Sequence, residues 1–154
     1  MTMAQPAQSL SGGMELLERA ISFAVSAFGE VTPDRLSAAT PCATWCVQDV
    51  MDHLNDSMST IGEAFDDGWV HLEMDPRKQC PVAVLQDSAR ALLATVAVHR
   101  AGLTTIEIDG RAIAGSVVAA TGALELAVHG WDLAQGCGSV RPLPEELAAD
   151  LLRL

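Results

Sequence analysis

The chain has 154 residues, the length of a single domain, and 49% of them are hydrophobic, which is enough for a folded core. Its 9 basic and 20 acidic residues give a net charge of −11, so the protein repels the phosphates of nucleic acids and of anionic membranes. Aromatic residues make up 4% and tyrosine does not occur, which disfavours surfaces that stack on bases. We therefore expect one folded domain that binds neither nucleic acid nor membrane.

The N-terminal segment is the first predicted unit. Residues 1–12 are small and polar, and they are predicted to form a flexible tail before a domain of residues 13–154. The tail includes neither the basic nor the apolar stretch of a secretory signal. We therefore expect a cytoplasmic protein, in which cysteines stay reduced.

Four segments have apolar residues three and four positions apart, the spacing that places them on one face of a helix. The second of these helices should begin at Thr44 or Trp45. A proline-containing connector joins the first two helices, and an irregular segment over 67–81 joins the second and third. This pattern predicts an all-α fold, a four-helix bundle. The predicted helices cover residues 13–29, 44–66, 82–101 and 112–135.

A short strand and a partial fifth helix complete the predicted elements. Residues 104–109 alternate and are rich in β-branched types, which predicts a short strand that ends at an Asp-Gly turn. The fourth helix is expected to end at Gly136 or Gly138, since glycines commonly terminate helices. Pro144 suits the first position of a fifth helix, which continues to the end of the sequence.

Residues 112–131 are apolar enough to resemble a membrane span, but they include Glu125 and His129. A carboxylate and an imidazole are costly in lipid, so a buried helix of the bundle is the better interpretation. Because residues four apart share a helix face, this pair can bind one metal ion. His53 lies beside the apolar face of the second helix and can supply a third ligand. Three protein ligands with an open position are typical of catalytic zinc sites.

Other interpretations of these residues stay open. Glu125 and His129 can instead form a buried hydrogen-bonded pair, and His53 can be a hydrogen-bonded core histidine. Asp132 follows His129 by three residues, so it can orient the imidazole without binding the metal. A charge on the helix surface would account for Asp132 equally well.

The remaining candidate residues have simpler interpretations. His71 and His99 are expected to be solvated, and Trp45 and Trp131 are expected to pack near the site. The spacing of the first two cysteines is wider than the C-x-x-C of zinc knuckles, so a cysteine-based zinc site is a weak alternative to buried thiols. The cysteines are Cys42, Cys46, Cys80 and Cys137.

Two motifs resemble those of a known family. Residues 40–54 read TPCATWCVQDVMDHL, and residues 123–134 read ALELAVHGWDLA. They resemble the TPCxxWxVxDLxxHL and ExxxHGWDLA signatures of the mycothiol-dependent maleylpyruvate isomerase-like proteins, within the DinB-like metalloenzyme superfamily. The resemblance implies a DinB-like bundle in which His53, Glu125 and His129 bind a metal ion, usually zinc, with nickel or manganese as alternatives.

The same resemblance implies chemistry on small molecules. Members of the family use a low-molecular-weight thiol, which is mycothiol in actinobacteria and bacillithiol or glutathione elsewhere. We expect a thiol S-transferase that joins such a thiol to an electrophilic small molecule. One alternative is a thiol-dependent cis–trans isomerase of the maleylpyruvate type, although 154 residues leave no room for the C-terminal domain of the known isomerases. Another is a non-catalytic metal- or ligand-binding accessory protein, and a homodimer is compatible with each of these functions.

Overall fold

The apolar spacing of the sequence produces a helical fold with a small sheet beside it. The computed structural model describes residues 6–70, 79–100 and 105–154, the first six of them by their backbone alone. The mainly helical bundle is the fold class that the sequence predicted. In chain order the elements are helix α1 (Pro6–Phe28), a 3-10 turn (Pro33–Arg35), helix α2 (Val47–Asp67), strand β1 (Trp69–Val70), helix α3 (Val82–His99), strands β2 (Thr105–Ile108) and β3 (Arg111–Ala114), and helices α4 (Gly115–Gly136) and α5 (Glu145–Leu151).

Glycines allow α1 and α4 to pack closely side by side. A Cβ added at Gly130 would lie 3.0 Å from the Cα of Ala24, and one added at Gly13 would lie 3.1 Å from the carbonyl oxygen of Ser116. Any larger residue would hold the two backbones further apart at these points. The contact at Gly13 joins the earlier turns of the two helices, and the contact at Gly130 joins their later turns. Helices α1 and α4 therefore run parallel.

Helix α2 packs against α4 in the opposite direction. A Cβ added at Gly122 would lie 2.8 Å from Cδ1 of Ile61, and one added at Gly136 would lie 2.7 Å from Cγ2 of Val47. The first turn of α2 therefore lies beside the last turn of α4. This antiparallel packing decides which polar residues of the two helices meet.

The apolar faces of the four long helices form one core. Burying a leucine side chain contributes about 1.5–3 kcal/mol, and this core buries several. In the described parts of the chain, no helix is both long and apolar enough to cross a bilayer. The leucines that are at most 2% exposed are Leu17, Leu54, Leu85, Leu92, Leu126, Leu133 and Leu147.

The predicted strand is β2, and two strands that the sequence did not predict pair with it. Strand β2 pairs antiparallel with β3 and parallel with β1. Asp109 and Gly110 have φ angles of 50° and 72°, as in the mirror-image turns that two-residue hairpins favour. This turn returns the chain to the sheet, so the prediction of helix from residue 112 was wrong and α4 begins at Gly115.

Helices α1 and α2 begin at other residues than predicted. The described part of helix α1 starts at Pro6, before the predicted start at Gly13. Residues 6–12, predicted as part of the tail, are therefore helical. Helix α2 begins at Val47 because the carboxylate of Asp49 accepts the backbone N–H of Cys46 and caps the helix there.

The ends of the later helices agree better with the sequence. Helix α3 ends at His99, two residues before the predicted end. Helix α4 ends at Gly136, and Gly138 has the left-handed φ of 78° that a terminating glycine commonly adopts. The predicted fifth helix is present, with Pro144 as its N-cap rather than as its first residue.

Candidate metal centre

The antiparallel packing of α2 and α4 brings the three predicted ligands together. His53 lies in the second turn of α2, between the buried Val50 and Leu54. Glu125 and His129 lie one turn apart on α4, on the face that α2 covers in part. The site is therefore formed by two helices whose mutual position is fixed by the core.

Two imidazoles converge on one carboxylate oxygen. Nε2 of His53 is hydrogen-bonded to Oε1 of Glu125, and Nε2 of His129 lies 3.4 Å from the same oxygen. One ligand atom from each residue lies within 4.8 Å of the other two. Donors around a tetrahedral zinc ion are about 3.3 Å apart. The donor set therefore suits a borderline divalent cation, and the 3.4 Å between Nε2 of His129 and Oε1 of Glu125 matches this spacing.

The carboxyl group of Glu125 is electrostatically suited to bind a cation. The hydrogen bond from His53 lowers the pKa of Glu125, as does the charge of His129, whereas burial opposes the shift. The group is therefore ionised at neutral pH. Its side chain is 36% exposed and that of His129 is 13% exposed, so the centre of His53, Glu125 and His129 opens to solvent mainly beside Glu125.

Asp132 lies behind His129, on the side away from Glu125. Its Oδ2 is 3.0 Å from Nδ1 of His129. Burial raises the pKa of Asp132, and the charge and hydrogen bond of His129 oppose that rise. An ionised Asp132 only accepts hydrogen bonds, so with it Nδ1 donates and the ring lone pair is on Nε2. Asp132 thus lies at the distance that its predicted orienting role requires.

Trp45 forms one wall of the centre. Its ring centroid is 4.9 Å from that of His53 and 5.7 Å from that of His129. The loop before α2 holds the residue in place, because Oγ1 of Thr40 donates a hydrogen bond of 2.8 Å to the carbonyl oxygen of Trp45. Trp131, the other predicted wall residue, is half-buried against the hydrophobic core.

The position of Cys42 was not predicted from the sequence. Cys42, His129 and Asp132 form a second group, in which one ligand atom from each residue lies within 4.8 Å of the other two. Burial and the charges of Asp132 and Glu125 raise the pKa of the Cys42 thiol. Helical periodicity could not reveal this contact, because Cys42 lies in a loop that turns through the left-handed Ala43, whose φ is 44°.

The other cysteines and histidines lie elsewhere in the fold. All four cysteines are free thiols, but only Cys80 is buried, and Cys137 caps the end of α4. His99, expected to be solvated, is partly buried, and its Nε2 lies 3.1 Å from Oδ1 of Asp66. His71 lies outside the described residues.

The fold and the histidine–glutamate cluster together define a mainly helical domain with a candidate metal centre. The family model of the mycothiol maleylpyruvate isomerase N-terminal domain matches residues 17–134, and the chain belongs to this family. Two uncharacterised proteins of Mycobacterium tuberculosis, from strains CDC 1551 and H37Rv, are each 25% identical to it over 137 residues, which cover 88% of this chain and 72% of the relative. No solved structure matches the chain. The family is the one that the two sequence motifs indicated.

Proposed function

We propose that the domain is a metal-dependent thiol S-transferase, which joins a low-molecular-weight thiol of the mycothiol type to an electrophilic small molecule. The main supporting observation is that Nε2 of His53 and Nε2 of His129 both approach Oε1 of Glu125. Membership of a family named for mycothiol supports the choice of thiol. Zinc is the proposed ion, with nickel or manganese as alternatives, because two imidazoles, one carboxylate and an open side are typical of catalytic zinc sites.

Each group of the site has a proposed task. His53, Glu125 and His129 would hold the ion, which when bound lowers the pKa of a thiol that approaches it. Asp132 keeps the ring proton on Nδ1 of His129, so that Nε2 is free to bind. Trp45 covers the imidazoles and excludes water on one side. The thiol proton leaves through the solvent-exposed side beside Glu125, and the sulfur forms its new bond to the electrophilic carbon as the leaving group departs.

A second candidate function is thiol-dependent cis–trans isomerisation of a maleylpyruvate-type substrate. The family name supports it, because the matching model describes the N-terminal domain of such an isomerase. In that reaction the thiol adds to the substrate and leaves again, so no thiol is consumed. Both functions need a reduced thiol, which the proposed cytoplasmic location would supply.

Metal content measured after purification without chelators tests the centre. We expect about one divalent ion per chain in the wild type and little or none in His53→Ala, Glu125→Ala and His129→Ala. His99→Ala is the matched control. His99 lies on α3 and also pairs with a carboxylate, that of Asp66. Wild-type protein without stoichiometric metal would contradict the proposal.

Turnover experiments then separate the candidate functions. Metal-loaded protein is incubated with mycothiol and either a panel of electrophiles or maleylpyruvate. Thiol consumption that depends on His129 supports the transferase. Conversion of maleylpyruvate without net loss of thiol supports the isomerase instead. Bound metal with neither activity would indicate a non-catalytic accessory protein and would contradict both the transferase and the isomerase.

A further inference from the structure

Two potential cation positions share the imidazole of His129. Its Nε2 lies 3.4 Å from Oε1 of Glu125, and its Nδ1 lies 3.0 Å from Oδ2 of Asp132. The two nitrogens of an imidazole point to different sides of the ring, so a single ion cannot bind both. Because Oδ2 of Asp132 lies beside Nδ1, the group of Cys42, His129 and Asp132 would use the nitrogen of His129 that faces away from Glu125, and it is then distinct from the group that includes His53.

The second group has the chemistry of a site for thiophilic cations. Cys42 offers a sulfur, His129 a nitrogen and Asp132 an oxygen, a set that suits zinc, cobalt or cadmium better than magnesium or calcium. Asp132 is only 4% exposed, and a carboxylate so deeply buried is stabilised by a positively charged partner. Cys42 is only partly buried, so an ion can reach the position from solvent.

We propose that Cys42, Asp132 and Nδ1 of His129 form a second site, which binds a thiophilic divalent cation. This site competes for His129 with the first centre, formed by His53, Glu125 and His129. Binding releases the thiol proton of Cys42 to solvent. The ring proton of His129 leaves Nδ1, and Nε2 is protonated instead. The new N–H on Nε2 donates a hydrogen bond to Oε1 of Glu125. Nε2 then has no free lone pair, so the same imidazole cannot bind an ion in the first centre.

This competition has a functional consequence. A thiophilic cation at the second site removes His129 from the first centre and so inhibits the proposed transferase. The inhibition rests on the proposed function. The existence of the second site does not rest on the proposed function, because its three residues can bind a cation without an ion in the first centre.

Cadmium titration, followed by the ultraviolet charge-transfer absorption of a thiolate–cadmium bond, tests the second site. His53→Ala removes a ligand of the first centre and keeps all three ligands of the second. We expect the absorption to saturate at one thiolate–cadmium bond per chain in both the wild type and His53→Ala. The absorption should be lost in Cys42→Ser and kept in Cys46→Ser, the matched control from the same loop.

Two outcomes would overturn the second site: no absorption in His53→Ala, or absorption that survives in Cys42→Ser. Cys42→Ala repeats the test with a different side chain, and circular dichroism confirms that each variant is folded. Competition is tested by cadmium-induced release of zinc from the wild type, which Cys42→Ser should not show. Simultaneous binding of one zinc and one cadmium ion would overturn the competition. Because the absorption is read in His53→Ala, a failure of the second site is distinguishable from a failure of the transferase.

Discussion

The imidazole of His129 and the carboxylate of Asp132, three residues apart on α4, are joined by a hydrogen bond of 3.0 Å. Side chains at this spacing lie on neighbouring turns of one helix face. The bond determines the ring orientation, and when Nδ1 donates to an ionised Asp132 the lone pair is on Nε2, which faces Glu125. A carboxylate behind a ligating histidine also makes the ring a stronger base. Asp132 therefore influences the first centre through His129.

Replacing Asp132 by alanine should weaken the first centre without removing a ligand. We expect the affinity for zinc to fall about 10–100-fold, because the ring of His129 loses its orientation and its preferred tautomer. Competition with a chromophoric chelator measures the affinity. Glu63→Ala, which removes an exposed carboxylate from α2, is the control and should leave the affinity unchanged. Equal affinities in both variants would exclude an orienting role for Asp132.

Trp45 should report metal binding by its fluorescence. Its ring lies 4.9 Å from that of His53 and 5.7 Å from that of His129, so an ion held between the imidazoles changes the surroundings of the indole. We expect zinc to change the emission of the wild type and of Trp69→Phe, whose tryptophan is 43% exposed on β1. The change should disappear in Trp45→Phe. A zinc response that persists in Trp45→Phe would show that the signal has another source.

Residues on long amphipathic helices were predictable from the sequence. The three-and-four spacing located the helices, and the placement of Glu125 and His129 one turn apart followed from helix geometry alone. Their contact with His53 needed more, because it depends on how α2 crosses α4. The residue pattern offered His53 as a possible third ligand, and the family resemblance strengthened that choice, since spacing within a helix does not determine which helices are neighbours.

Features that depend on loops and turns were not predictable in this way. The mirror-image turn at Asp109 and Gly110 returns the chain to the sheet, so an apolar stretch that continues the helical pattern becomes β3. The approach of Cys42 to His129 depends on a loop that no periodic pattern describes. An Asp-Gly turn favours a hairpin and so a second strand after it, whereas the position of Cys42 depends on tertiary packing.

Two glycine substitutions should affect stability in opposite directions. In Gly130→Ala the new Cβ would lie 3.0 Å from the Cα of Ala24, and a backbone atom cannot yield as a flexible side chain can. We expect a loss of about 1–3 kcal/mol. In Gly62→Ala the new Cβ meets nothing within 4 Å, and helix propensity should add about 0.5–1 kcal/mol. Urea unfolding measures both variants, and equal effects would contradict the close packing of α1 on α4.

The ion pair between α1 and α5 should make stability depend on pH. Arg19 donates a hydrogen bond of 2.7 Å to Oδ2 of Asp150, and Arg153 donates one of 2.6 Å to Oδ1. The hydrogen bond from Arg19 is the main reason that the pKa of Asp150 lies below its ordinary value. The ionised carboxylate therefore favours the folded state. This contribution is complete above the unfolded-state pKa of about 4 and is lost as the pH falls through the lower folded-state pKa.

Asp150→Asn should accordingly melt at a lower temperature than the wild type at pH 7, and the difference should disappear as the pH falls below about 4. Arg19→Gln should reproduce this behaviour. Arg153→Gln should have a smaller effect, because the side chain of Arg153 is 74% exposed and its charge is better screened. Thermal unfolding followed by circular dichroism at several pH values measures all three. A melting difference between Asp150→Asn and the wild type that is the same at every pH would show that the ionised carboxylate does not stabilise the attachment of α5.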